Sequence, residues 1–316
     1  MDLSVVVATY NRAHLLAGTL EALAAQEVPA SLTWEIVVVD NNSTDSTPRI
    51  VEDFLRTSPL PVRYALEPAQ GTNHARNRGV GESTGTIIAF TDDDVVPARN
   101  WVRSIVAGMS RWGADGIGGR ILPQWLARPP AWLERDRHLW EALALRDAPT
   151  PAELRLTAAG RFCQGVEIWG ANMAFRRSLF DQVGVFDPSI GHRGDRLVGG
   201  DETEFVRRAV RAGCRIVYDP DLIVWHRIGP ERLKKRFFRR KCFHIGEARA
   251  ARTTPAQRRC LLGVPLYQLR FLVHNAVRWI AAILRRDPDC FCKELELWDN
   301  AGFIVARLKA RLGTSR

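Results

Sequence analysis

Residues 3 to 91 alternate between two kinds of apolar spacing. LSVVVATY, WEIVVVD, VRYAL and TIIAFTD are short runs rich in β-branched residues, the pattern of strands covered on both faces. Between them, AHLLAGTLEALAAQ after Asn11, STPRIVEDFLRT after Asp45 and HARNRGVGES after Asn73 read as helices. This order predicts an α/β fold, a parallel, doubly wound sheet with right-handed crossovers. Such sheets bind ligands beyond the carboxyl ends of their strands, and ATYNR, DNNSTD and TDDD all fall there. Asn11, Ser43 and Asp45 also suit the capping of the helices that follow.

Beyond residue 112 the pattern loosens. Pro and Gly break DGIGGRILPQW and ARPPAW, so residues 113 to 175 predict an elaboration over the sheet edge, on the substrate side. RSLFDQVGVFDPSI predicts a short helix and a turn, and GHRGDRLVGGDETEFVRRAVRAGCRIVYDPDLIVWH a glycine-rich loop, a helix and two strands. From Arg227 onward the texture is helical and basic, which divides the chain into an α/β domain over 1–228 and a C-terminal region over 229–316. Arg270, His274 and Arg278 interrupt its most apolar segment, so no uncharged run reaches the ~20 residues needed to span a bilayer. Basic clusters from Lys234 to Lys241 and at Arg285 and Arg286, beside Phe, Trp, Leu and Val, suit a helix lying in an anionic membrane interface. Helices packed on the α/β domain with a solvated basic face satisfy the same pattern.

Composition adds less than the distribution of charge. Apolar residues at 46% and charged residues at 25% over 316 positions describe an ordinary globular protein with room for a large core. The net charge of +10 is uneven: Arg227 to Arg316 hold 21 Lys plus Arg against 7 Asp plus Glu, leaving the rest slightly acidic. That asymmetry suits nucleic acid, acidic headgroups or solubility without choosing among them. Six scattered cysteines with no CxxC fit a reduced compartment. MDLSVVVATYNR lacks a basic region followed by a long apolar run and cleavage site, so no secretory signal is read.

The chemistry concentrates in IIAFTDDDVVP, where a buried strand runs into Asp92, Asp93 and Asp94. Adjacent carboxylates repel, more so in a low dielectric. Strand alternation predicts Asp92 and Asp94 on one side and Asp93 on the other. Two neighbouring oxygen donors suit a hard cation such as Mn2+ or Mg2+; a solvated acidic turn accounts for the same residues.

VVVATYNR, VVVDNNSTD, ARNRG, FTDDD, GANMAFRR, GGDETEF and VWH follow one another across residues 3 to 228. Together they resemble the inverting glycosyltransferases of family 2, with the Rossmann-like GT-A fold. The resemblance implies transfer of a sugar from a UDP, GDP or dTDP donor to a glycan or lipid-linked acceptor, with Mn2+ or Mg2+ as cofactor. It also implies a setting in bacterial surface polysaccharide or glycolipid synthesis, in the cytoplasm or peripheral on the inner face of the cell membrane. By that resemblance Thr9, Tyr10 and Arg12 line the nucleotide pocket, Asp40 accepts hydrogen bonds from the base with Asn42 nearby, and Arg76 reaches the nucleotide or its phosphates. Asp92 and Asp94 match the family's DxD, with Asp93 between them on the donor side, and His226 takes a further metal or diphosphate position. Gly170 and Asn172 fall on the acceptor side. Family members commonly read Glu-Asp where this chain reads Asp201-Glu202; ungapped alignment makes Glu202 the base, and residue type favours Asp201. A sugar-phosphate nucleotidyltransferase would usually carry a glycine-rich loop after the first strand, and ATYNRAHLL has none. A non-catalytic basic membrane- or RNA-binding protein would leave the acidic cluster and GGDETEF unexplained, and no nucleic acid partner is expected.

Overall fold

The computed structural model describes residues 1–163, 166–190, 201–253 and 260–312, with the side chains of Asp201 and Arg252 outside the description. Nine strands of the described residues share one sheet: β1 Leu3–Thr9, β2 Trp34–Asp40, β3 Val62–Leu66, β4 Ile87–Asp92, β5 Val95–Pro97, β6 Gly116–Trp125, β7 Ala152–Glu153, β8 Met173–Arg176 and β9 Ile216–Ile228. Their order is β3-β2-β1-β4-β8-β6-β9-β5, with β7 beside β9.

β1 and β2 are β-branched throughout their centres and are buried along almost their whole length. They pair in parallel with β3 and β4, in a register that puts Thr9 opposite Asp40 and Ala8 opposite Asp92. The three polar loops predicted to converge therefore leave one edge of the sheet together. Helices α1 Ala13–Ala24, α2 Thr47–Thr57 and α3 Thr72–Glu82 make the crossovers, followed by α4 Trp101–Trp112. Beneath one face, Val6, Val37, Val39 and Phe90 join Phe175, Phe180, Phe186 and Phe205 in a continuous core. Phe186 and Phe205 approach to 4.4 Å between centroids, which anchors α7 Asp201–Arg211 beside the short α6 Arg177–Val183.

Two sequence expectations need correction. Residues 116–125 and 173–176 lie inside the sheet, β8 running antiparallel between β4 and β6, and are no edge elaboration. Glycines broke the apolar pattern there because the packing admits nothing larger: a Cβ on Gly118 would stand 2.5 Å from Ile168, and one on Gly119 2.1 Å from the Leu222 carbonyl oxygen. The expected pair of strands before His226 is also one strand, β9, which continues through Asp219-Pro220-Asp221 with the Asp221 N–H donating to Asp219 at 3.1 Å.

The chain divides into two compact units. One holds Met1–Trp125 with the described parts of 144–194 and 199–227; the other holds Leu126–Leu143 with the described parts of 228–316. The second unit contains the short α5 Ala131–Arg135 and the long helices α8 Lys235–Arg252, α9 Leu266–Leu284 and α10 Cys290–Arg311. α8 and α10 cross at Gly246 and Gly302, where an added Cβ would lie 1.9 Å from the carbonyl oxygens of Asp299 and Phe243 respectively. Among the described residues no helix is long and apolar enough to cross a membrane.

Candidate active site

The loops after β1 and β2 are tied to one another before they meet any ligand. Asn11 and Asn42 adopt positive φ of 51° and 66°, tolerated by Asn better than by most residues. The Asn11 N–H donates to Ser43 Oγ at 3.0 Å, and the Thr44 N–H donates to Asn11 Oδ1 at 2.7 Å. Of the three expected caps, Asp45 serves both helices: one oxygen accepts from the Ala13 N–H at 3.0 Å and the other from Thr47. Asn11 and Ser43 stitch the loops instead. Asn41, which sequence reasoning passed over, fixes the loop before α3 by donating to the Glu67 and Ala69 carbonyls and accepting from the Gly71 N–H.

Asp93 and Asp94 form the turn between β4 and β5, and the predicted alternation fails because the strand ends at Asp92. Both are drawn to Arg12, whose Nη1 stands 3.0 Å from Asp93 and 2.9 Å from Asp94. Thr9 Oγ1 donates to the other Asp93 oxygen at 2.8 Å. Burial pushes the Asp93 carboxyl up to about 6 against the pull of Arg12, and Asp93, more than Asp94, holds the Arg12 guanidinium more firmly protonated than usual. Thr9 and Asp93, at 3% and 4% exposure, brace the loop, while Tyr10 and Arg12 keep open surface.

Pairing of β5 with β9 sets Val95 against His226, and His226 Nε2 comes within 3.2 Å of Asp94 Oδ2. Asp92 alone of the three carboxylates is partly exposed. Burial raises its pKa, with Asp94 and Glu202 adding to the rise and Arg76 and His226 opposing it. The acidic turn, His226 and the start of α7 therefore act on one another. Among the described residues no three His, Cys, Asp or Glu side chains already stand as a metal-holding set. The chemistry of Asp92, Asp94 and His226 nonetheless fits Mn2+ or Mg2+: oxygen and imidazole donors, two of them in contact, beside a carboxylate whose ionisation burial opposes.

On the far side, Glu202 Oε1 accepts from Arg76 Nη2 and from the Gly170 N–H, each at 3.1 Å. Arg76 is 4% exposed, with its guanidinium 5.7 Å from the Phe186 ring. Gly170 admits this contact: a Cβ would lie 1.9 Å from Arg76 Nη2 and 2.6 Å from Glu202 Oε1, so one of the two side chains would have to shift. Arg76 in this structure positions Glu202. The Asp201 side chain lies outside the described residues, as do the glycines at 191, 194, 199 and 200.

Two further expected site residues are buried. Asp40 has no exposed surface, and its oxygens accept from the Ser43 N–H at 2.8 Å and the Tyr64 hydroxyl at 2.9 Å, which fixes the β2 loop. Asn172, also without exposed surface, accepts from Trp101 Nε1 at 2.8 Å and donates to the Arg120 and Leu222 carbonyls. It joins strands. Asn42 stays exposed.

The model of the family described as Glycosyl transferase family 2 matches residues 4–184, and the chain belongs to that family. It is similar to glycosyltransferase AglE of Haloferax volcanii, 28% identical over 74% of this chain and 70% of that one. It is also similar to the succinoglycan biosynthesis protein ExoM of Rhizobium meliloti, 25% identical over 78% and 74%. Its fold matches the Pyrobaculum calidifontis mannosyltransferase PcManGT solved with GDP-Man and Mn2+, at a TM-score of 0.55 with 21% identity, covering 99% of this chain and 76% of that one.

Proposed function

We propose that this glycosyltransferase moves a sugar from a nucleoside-diphosphate donor to an acceptor hydroxyl by a single inverting displacement, with Glu202 as the general base. The arrangement that supports this most is Glu202 itself, one oxygen fixed by Arg76 and the Gly170 N–H and its charge within reach of Asp92. A carboxylate so oriented can take the acceptor proton as the hydroxyl attacks the anomeric carbon from the face opposite the diphosphate. Asp92, Asp94 and His226 would hold Mn2+ or Mg2+, which neutralises charge on the diphosphate leaving group when bound. Arg12, the most exposed cation at the turn, supplies a planar donor fork for phosphate oxygens. Tyr10 and Asn42, both open to solvent, line the nucleotide side.

The names of two relatives support an acceptor class. One is a succinoglycan biosynthesis protein, and another, from Haloferax volcanii, is a glucosyl-dolichyl phosphate glucuronosyltransferase, 27% identical over 72% of this chain. A growing surface polysaccharide or lipid-linked glycan, met by an enzyme peripheral on the inner membrane face, agrees with both. Incubation with UDP-, GDP- and dTDP-sugars and Mn2+ tests the reading. One donor should slowly release nucleoside diphosphate without acceptor, and the product made with acceptor should carry the opposite anomeric configuration. Release of pyrophosphate, or retention of configuration, would refute it.

A further inference from the structure

We propose that helix α9 docks this protein on an anionic lipid surface through a solvent-facing stripe formed by Val273, Val277, Ile280 and Leu284. The helix is turned inside out. Its buried face carries Gln268 and Asn275, at 0% and 8% exposure, and the Gln268 amide lies 2.8 Å from the nearer Arg249 terminal nitrogen and 3.1 Å from Asn300. The four stripe residues are 65%, 61%, 51% and 79% exposed. Spacings of four, three and four residues align them along one line about 16 Å long at 1.5 Å per residue.

The charge beside the stripe identifies what covers it. His274, Arg278 and Arg285 each follow a stripe residue by one position, which places them about 100° round the helix, and Arg270 lies on the same flank. All four are exposed and α9 contains no Asp or Glu, although Arg278 pairs with Glu296 of α10 at 2.8 Å, so Arg270 and Arg285 supply the unneutralised charge of the ridge. An aliphatic stripe with a cationic ridge along it suits acyl chains and acidic headgroups at once. A second copy of the chain fits poorly, because pairing α9 with its twin would bring two cationic ridges together. The basic cluster on α8, also expected from sequence to meet a membrane, is partly engaged within its own unit, while Lys234, Arg236 and Arg240 are exposed. Arg239 forms a two-point pair with Glu294 at 2.6 and 3.1 Å, and Lys235 Nζ stands 4.8 Å from the Phe291 ring.

This docking face deepens the peripheral location proposed above and is independent of the transfer chemistry, since binding is read without substrate. The test is flotation of the full-length protein with phosphatidylcholine vesicles, with and without phosphatidylglycerol. The wild type should float with the anionic vesicles and not with the neutral ones, and added salt should weaken it. Val277→Ser with Ile280→Ser leaves the charge unchanged and alters only exposed positions; it should weaken flotation at least ~tenfold, through lost apolar burial, at an unchanged melting temperature. Arg270→Gln with Arg285→Gln should weaken it by removing charge. If the wild type floats and the serine variant floats equally, the membrane location stands and the docking helix is wrong. No flotation of the wild type overturns both. A wild-type dimer that the serine variant converts to monomer would give the stripe to a second copy and overturn the proposal.

Discussion

Gly170→Ala probes the placement of the candidate base by adding one carbon atom. The new Cβ would meet Arg76 Nη2 at 1.9 Å and Glu202 Oε1 at 2.6 Å, distances that no side-chain Cβ sustains, so one partner must move. Arg76 has little room, with 5% of its side chain exposed against the Phe186 ring; Glu202, at 16%, yields more easily. Overpacking of this kind costs about 1–3 kcal/mol, so we expect a loss of that size in urea melts. Displacing the carboxylate by ~1 Å should also lower turnover at saturating donor by ~100-fold. A double-mutant cycle isolates the cause. In an Arg76→Ala background the nearest obstacle is gone, and Gly170→Ala should then cost under ~1 kcal/mol, so the two effects fall well short of additive. Wild-type stability and turnover in Gly170→Ala, or strict additivity in the cycle, would refute the packed Arg76–Gly170–Glu202 arrangement.

Other consequences can be measured separately. Asp94→Ala should make donor affinity insensitive to Mn2+ and to chelator in calorimetric titration, whereas wild-type affinity should drop when the metal is removed. Glu35 has no exposed surface; burial alone would raise its pKa, but hydrogen bonds from Thr84, Ser4 and Arg63 prevail and hold it below 4.5. A carboxylate lowered in the folded state contributes stability above its unfolded pKa and loses it as pH falls through the folded value. Glu35→Gln should therefore cost ~1–3 kcal/mol at pH 7 in thermal melts, and the gap to wild type should narrow as pH falls below about 4. Asn172→Leu removes the hydrogen bonds to Trp101, Arg120 and Leu222, so it should lower stability by ~2–4 kcal/mol; a purely acceptor-side role would leave stability unchanged.

The parallel half of the fold was legible because strands covered on both faces must be apolar at nearly every position, as in Leu3–Thr9 and Trp34–Asp40. Convergence of the three loops followed from the same sheet. The antiparallel half was hidden because β6 is glycine-rich for close packing, and glycine in a sequence reads as a break. Site roles were legible by residue type and not by partner. Arg76 and Glu202 lie 126 positions apart, and nothing local marks that they meet. The hydrogen bonds that hold Asp40 and Asn172 were not legible either, because a buried polar residue satisfied within the protein carries the same letter as an exposed one. In α9 the apolar period was visible, but which face it covered depended on Arg249 and Asn300, far away in the chain.

The most direct test of the account compares Glu202→Gln with wild type in both donor binding and sugar transfer. Glutamine keeps the shape and an acceptor for Arg76 and the Gly170 N–H but cannot take a proton; donor Kd should hold within about twofold while kcat falls ~100- to 10,000-fold. Transfer at the wild-type rate would contradict the account. The same loss from Asp201→Asn, with Glu202→Gln still active, would move the base to the neighbouring residue.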